Sequence, residues 1–174
     1  MHGELVGLTQ CVQDLRTSRM VFYADDVERL DRELDGFLEA SGARSALLIA
    51  PEGHLVTRRG EAPSEDVESL SALVAGSFAA THQVARLLGE GGFSSLSHQG
   101  DRQGIQLASL GPRALLATVW DERTNLGLVK FYAQETSLRL RRVLDELESA
   151  PPRAEGGLAE DYGEQASAAL DDLF

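Results

Sequence analysis

The chain has 174 residues, 43% of them apolar and 25% charged, and carries a net charge of −12 from 28 acidic and 16 basic side chains. This is the composition of one globular domain with some chain to spare, and it excludes collagen-like repeats and wholesale disorder. The acidic balance argues against a nucleic-acid binder that neutralises phosphates and against docking on an anionic membrane.

Residues 1–19 form an N-terminal extension. Leu5, Leu8, Val12 and Leu15 fall at helical spacings of three and four, but a loose start serves equally well. No apolar run follows a basic start there, so no signal peptide is expected. Its Cys11 is the only cysteine, which excludes a disulfide framework and a multi-cysteine metal cluster. The domain proper is read as residues 20–148. Met20 to Tyr23 can be extended. Asp25 or Asp26 then caps a helix with Val27, Leu30, Leu34, Phe37 and Leu38 inward and Gly42 as its stop. Glu28, Arg29, Arg32, Asp35 and Glu39 make its solvated face.

Ala46 to Ala50 has strand length, Pro51-Glu52-Gly53-His54 is turn chemistry, and Leu55-Val56-Thr57 completes a hairpin. Ser64 is expected to cap a second helix running to Leu88, ended by Gly89, Gly91 and Gly92. Strands are expected at 93–97, 105–110 and 114–120, with Gly111-Pro112 turning between the last two. Thr124 or Asn125 starts a third helix to about Glu148, with Leu138, Leu140, Val143, Leu144 and Leu147 inward. Its outer face pairs Arg141 with Asp145 and Arg142 with Glu146 at i,i+4. Pro151-Pro152 closes the domain. Residues 149–174 carry −5 and read as an acidic flexible tail, except that Leu170, Leu173 and Phe174 place large apolar groups beside acids.

The order α-β-β-α-β-β-β-α predicts an α/β (layered α+β) fold, a five-stranded antiparallel sheet flanked by helices. No stretch reaches the roughly 20 apolar residues of a membrane span. A soluble cytoplasmic protein without membrane insertion is expected. Fifteen arginines against the single Lys130, with abundant Ala and Gly, point to a GC-rich bacterial source.

Catalytic chemistry is not legible. His2, His54, His82 and His98 have no carboxylate or cysteine at ligand spacing, so no metal is expected. No glycine-rich loop ends in Lys-Ser or Lys-Thr, Gly89-Glu90-Gly91-Gly92 reads as a helix stop, and Cys11 lacks a local base. Asp121-Glu122-Arg123 reads as a polar corner. Neither a catalytic residue nor a cofactor is assigned. The low aromatic content, 6%, disfavours a small-molecule sensor.

The second helix is the informative segment, because Ser69 to Ala85 carries no charge at all. One stripe, Val67, Leu70, Val74, Phe78, Ala85 and Leu88, can cover the sheet. A second, Ala72, Leu73, Gly76, Ala79, Ala80 and Leu87, leaves the outer side apolar, and such a helix is buried on both sides. Leu70 to Ala80 is therefore expected to meet another protein surface, most simply a second copy across a two-fold axis.

Leu70-Ser71-Ala72-Leu73-Val74-Ala75-Gly76 with Ala79-Ala80, then Arg86 to Phe93, His98-Gln99-Gly100, and Asp121-Glu122-Arg123-Thr124-Asn125-Leu126-Gly127-Leu128-Val129 together resemble the Roadblock/dynein light-chain family, and within it the bacterial MglB-like group. The resemblance covers residues 20–148 and implies a Roadblock/profilin-like fold in a homodimer with joined sheets and paired second helices. It further implies binding to a Ras-like small GTPase of the MglA type and stimulation of its GTP hydrolysis by switch-loop positioning, in cell polarity or motility. The GTPase would supply its own arginine. The resemblance also implies that the tail, through Leu170, Leu173 and Phe174, docks on the GTPase. His82-Gln83 departs from the small residues usual in the group, on the face expected near the GTPase. That departure favours an alternative, a non-activating dimeric scaffold for a GTPase or another Roadblock protein. Residues 1–19 have no counterpart in the group's pattern.

Overall fold

The computed structural model describes residues 20–151; the expected extension, Cys11 and the tail residues Leu170, Leu173 and Phe174 lie outside them. The elements follow the expected order: α1 Ala24–Ser41, β1 Ser45–Ile49, β2 Leu55–Gly60, α2 Val67–Leu87, β3 Ser95–Gln99, β4 Gln103–Ser109, β5 Leu115–Asp121 and α3 Leu126–Ser149. The five strands form one sheet in the order β2-β1-β5-β4-β3, antiparallel throughout.

Alternation along the central strands divides the core in two. Ala46 and Leu48 of β1 and Leu116 and Trp120 of β5 face α1 and α3, where they meet Leu30, Leu34, Phe37, Val129, Ala133, Leu140 and Leu144. Leu47, Ile49, Leu115 and Ala117 face the other way, toward Val74, Ala75 and Phe78 of α2. All five residues of β1 are buried, as expected of a strand covered on both faces. Two helices thus share one face of the sheet while, among the described residues, α2 alone covers the other.

Several local expectations are corrected. Met20 to Tyr23 joins no strand, although Tyr23 is extended as expected, φ −89° and ψ 164°; Met20 and Phe22 pack against the α1–α3 core. The α1 cap is Tyr23, and Asp26 is the third helical residue, its Oδ2 accepting the Tyr23 N–H at 3.1 Å. Gly42 ends α1 in the left-handed region, φ +69°, as its position implied. For α2 the cap is Asp66 rather than Ser64, whose hydroxyl instead accepts the Asp66 N–H at 3.2 Å. Leu138 points to solvent, 64% exposed.

The two intrahelical ion pairs expected on α3 are replaced by long-range ones. Asp145 pairs with Arg113 of the β4–β5 turn, and Glu146 pairs with Arg29 of α1. Such contacts reward tertiary proximity that no local spacing encodes. On the nominally solvated face of α1, Arg29 is used in this way, and Asp35 holds Arg59 of β2 at 2.7 Å.

Candidate functional site: the outer face of the second helix

The helix begins because Asp66 satisfies its orphan amides. Its Oδ1 accepts the Ser69 N–H at 2.9 Å and its Oδ2 the Ser69 hydroxyl at 2.5 Å. These bonds hold the Asp66 carboxyl below the usual carboxylate range. The helix ends where Gly89 turns left-handed and Glu90 N–H reaches back to the Ala85 carbonyl at 2.9 Å.

Between these ends, Ser71, Val74, Ala75, Phe78 and Ala85 are buried against the sheet. Ser71 is tolerated there because its hydroxyl donates to the Val67 carbonyl at 2.8 Å. Val67 and Leu70 are partly buried beside them. Leu88, expected on this face, is 68% exposed and belongs to the other side.

The outer face is apolar and open. Leu73 is 73% exposed, Val84 49% and Leu87 88%. With Gly76 and Ala80 they run at spacings of three and four, one continuous line along the helix. Ala72, Ala79 and Gln83 are exposed on its flank. A Cβ at Gly76 would meet nothing within 4 Å. Glycine here costs about 1 kcal/mol of helix propensity relative to alanine, and no packing among the described residues requires it. An apolar stripe with a bare backbone at its centre has room for close approach by another backbone.

The structure separates the two residues of the His82-Gln83 pair. The His82 ring stands edge-on to Phe78 at 5.4 Å between centroids, and Gly92 passes so close that a Cβ would lie 3.1 Å from the imidazole. Both residues are exposed, but Gln83 has no such ring contact and stands one turn from Ala79 and Ala80. Sequence reasoning missed Val84 and misplaced Leu88, although Val84 lies four residues after Ala80 and three before Leu87. At the helix start, a groove of about 260 Å³ runs past Pro63, Leu70, His98 and Ile105. The exposed strand β3 borders it, with His98 Nε2 3.5 Å from Ser77 Oγ of α2.

The motif Asp121-Glu122-Arg123-Thr124-Asn125 has an architectural use. Glu61 bridges Arg44 at 2.7 Å and Arg123 at 3.0 Å, and Asp121 holds Arg123 at 3.0 Å. Thr124 Oγ1 donates to the Ser41 carbonyl at 2.6 Å, and Asn125 caps α3 by accepting the Leu128 N–H at 3.0 Å. The hydrogen bonds from Arg44 and Arg123 hold Glu61 below its usual range, and that from Arg123 does the same for Asp121. These residues lock the ends of α1, β2 and β5 to the start of α3. Among the described residues no group of His, Cys, Asp and Glu could hold a metal ion, and no helix is long and apolar enough to cross a membrane.

The fold is shared with known proteins. Residues 30–119 match the Roadblock/LC7 domain family. Among solved structures, an MglB with tetrameric arrangement is 37% identical, with 74% of this chain and 96% of that chain covered and a TM-score of 0.69. The gliding protein MglB from Thermus thermophilus is 38% identical, with 73% and 96% covered and a TM-score of 0.68. Myxococcus xanthus MglB is 28% identical, with 67% and 95% covered and a TM-score of 0.64. No curated protein matches the chain. With the family pattern spanning most of the sheet and α2, and with these relatives matched over nearly their full length, the chain belongs to the Roadblock/LC7 family.

Proposed function

We propose that this protein is a regulator of the MglB kind: a homodimer that binds a Ras-like small GTPase of the MglA type and stimulates its GTP hydrolysis, in cell polarity or motility. The observation that carries this reading is the exposed line Leu73, Gly76, Ala80, Val84 and Leu87, a surface to pair with its own copy while the flanking Ala72, Ala79 and Gln83 meet the GTPase. Among the described residues the edge strand β3 pairs with β4 alone, and in this reading its other edge continues the sheet into the second protomer. In this reading the protein is a cytoplasmic regulator and not an enzyme. It positions the switch loops of a GTPase that brings its own arginine, a route that needs complementary surface more than reactive groups. The tail residues Leu170, Leu173 and Phe174 add affinity by tethering.

The second reading is a dimeric scaffold that binds a GTPase or another Roadblock protein without accelerating turnover. The display of Gln83 beside Ala79 and Ala80 favours it, because a long side chain there holds a partner off the helix. Phosphate release by the MglA-type GTPase of the same organism, followed with and without this protein alongside mass measurement of the complex, separates the two. Accelerated release from a complex of two chains to one GTPase is expected. Complex formation without acceleration establishes the scaffold, and absence of any complex overturns the activator and leaves only a scaffold for another Roadblock protein.

A further inference from the structure

On the face away from α2, the outer half of the sheet is polar. Register sets Ser95 opposite Ala108 and Ser97 opposite Gln106, and α3 crosses above them with Lys130, Ser137 and Arg141. Between lies a cavity of about 290 Å³, at the small end of ligand sites. Its charged lining residues are Lys130 and Arg141, and none is acidic, in a chain whose net charge is −12.

Two donors at this cavity, the Ser137 hydroxyl and the Arg141 Nε, have no partner among the described residues. Ser137 is only 6% exposed, and its hydroxyl makes no hydrogen bond. A buried polar atom left unmatched is rare; Ser137 lines the cavity, and its enclosed hydroxyl reaches a ligand there by turning about χ1. Arg141 donates through Nη2 to the Ser109 carbonyl at 2.5 Å, while its Nε is buried and unpaired. The acid one turn along, Asp145, is taken by Arg113, so the Arg141 guanidinium has no carboxylate among the described residues. Lys130 makes no ion pair among them either. A guanidinium held by one neutral carbonyl, beside an ammonium and a free hydroxyl, is the donor set that receives an oxyanion.

We propose that this cavity binds the carboxylate or phosphate group of a small molecule, received by Arg141 and Ser137 with Lys130 closing the charge. Carboxylate and phosphate oxygens suit the same donors. The site lies across the sheet from α2, so its ligand and a protein on α2 do not compete for residues.

The test is calorimetric titration of the full-length protein at low salt with inorganic phosphate and, separately, with succinate. Saturable binding of at least one probe at one site per chain is expected; phosphate alone marks a phosphorylated ligand, succinate alone a carboxylic acid. Lys130→Met and Arg141→Met each weaken binding about tenfold or more, Ser137→Ala weakens it less, and Glu28→Gln, at an exposed site on α1, leaves it unchanged. Lys130 is exposed, so its variant carries the test even where Arg141→Met disturbs folding. Saturation by neither probe below about 10 mM overturns the proposal. Binding that Lys130→Met leaves intact also overturns it, since that is an adventitious ion only.

Discussion

Gly104 and Trp120 sit directly opposite one another on β4 and β5, and a Cβ on Gly104 would fall 2.4 Å from the indole ring. The ring lies over the bare backbone of its neighbour and closes the outer end of the α1–α3 core, only 9% exposed. Glycine is weak in strands, but here it makes room for an aromatic partner. Gly104→Ala is expected to cost about 1–3 kcal/mol through overpacking. Trp120 is the only tryptophan, so its fluorescence reports the change. Urea unfolding read at that emission should shift to a lower midpoint. An unchanged midpoint contradicts the packing described.

Gly76 is the converse case, since nothing crowds it. Gly76→Ala should stabilise an isolated α2 by about 1 kcal/mol through helix propensity. If two helices approach at that backbone, the same substitution weakens association. The expected result is unchanged or higher helicity by circular dichroism, with a larger dimer dissociation constant in sedimentation. Tighter dimers would place the contact elsewhere.

Leu73→Asp and Leu87→Asp, at sites already open to solvent, should leave the fold intact and reduce the solution mass to one chain. A folded dimer surviving both changes would remove the outer face of α2 from the interface.

Deleting Leu170 to Phe174 should weaken GTPase binding several-fold by lowering effective concentration, with dimerisation preserved. Loss of the dimer instead would make the tail structural. Gln83→Gly distinguishes the two functional readings. Stimulated hydrolysis within about twofold of the parent fits the activator, whereas stimulation appearing only in the variant fits the scaffold.

Glu61 and Asp121 are held below their ordinary range in the folded protein by Arg44 and Arg123. A carboxyl depressed by folding binds fewer protons than in the unfolded chain, so its stabilisation is present above the unfolded value, near 4. That stabilisation is lost as pH falls through the folded value. The melting temperature should therefore decline as pH is lowered from about 5 toward 3, and Arg123→Gln should flatten the decline. Equal slopes for the two proteins would refute the role given to this cluster.

Element order and the position of α2 were legible because they rest on local signals: the 3.6-residue period of Leu30, Leu34 and Phe37, the glycine at 42, and the cap at Asn125. The apolar outer stripe was equally legible from the uncharged run Ser69 to Ala85. Leu88 and Leu138 went to the wrong side because periodicity alone does not say where a helix overhangs its sheet. The partners of Asp145 and Glu146 were illegible because Arg113 and Arg29 come from distant turns and helices. The cavity under Arg141 was invisible for the same reason. Its walls are drawn from β3, β4 and α3, and only folding brings Ser95, Ser109 and Lys130 together.

The sheet order carries a consequence for how the chain comes to be folded. The central pair is β1 with β5, Leu48 against Leu116, so the middle of the sheet joins the beginning of the domain to nearly its end. During synthesis, β1 and β2 emerge as a hairpin with one flank bare, and an isolated hairpin is marginal in water. The core between α1 and α3 cannot close until α3 has been made. Folding therefore waits for long-range pairing, which is slow and leaves apolar edges open meanwhile. The N-terminal half of this domain, expressed alone, should aggregate rather than fold.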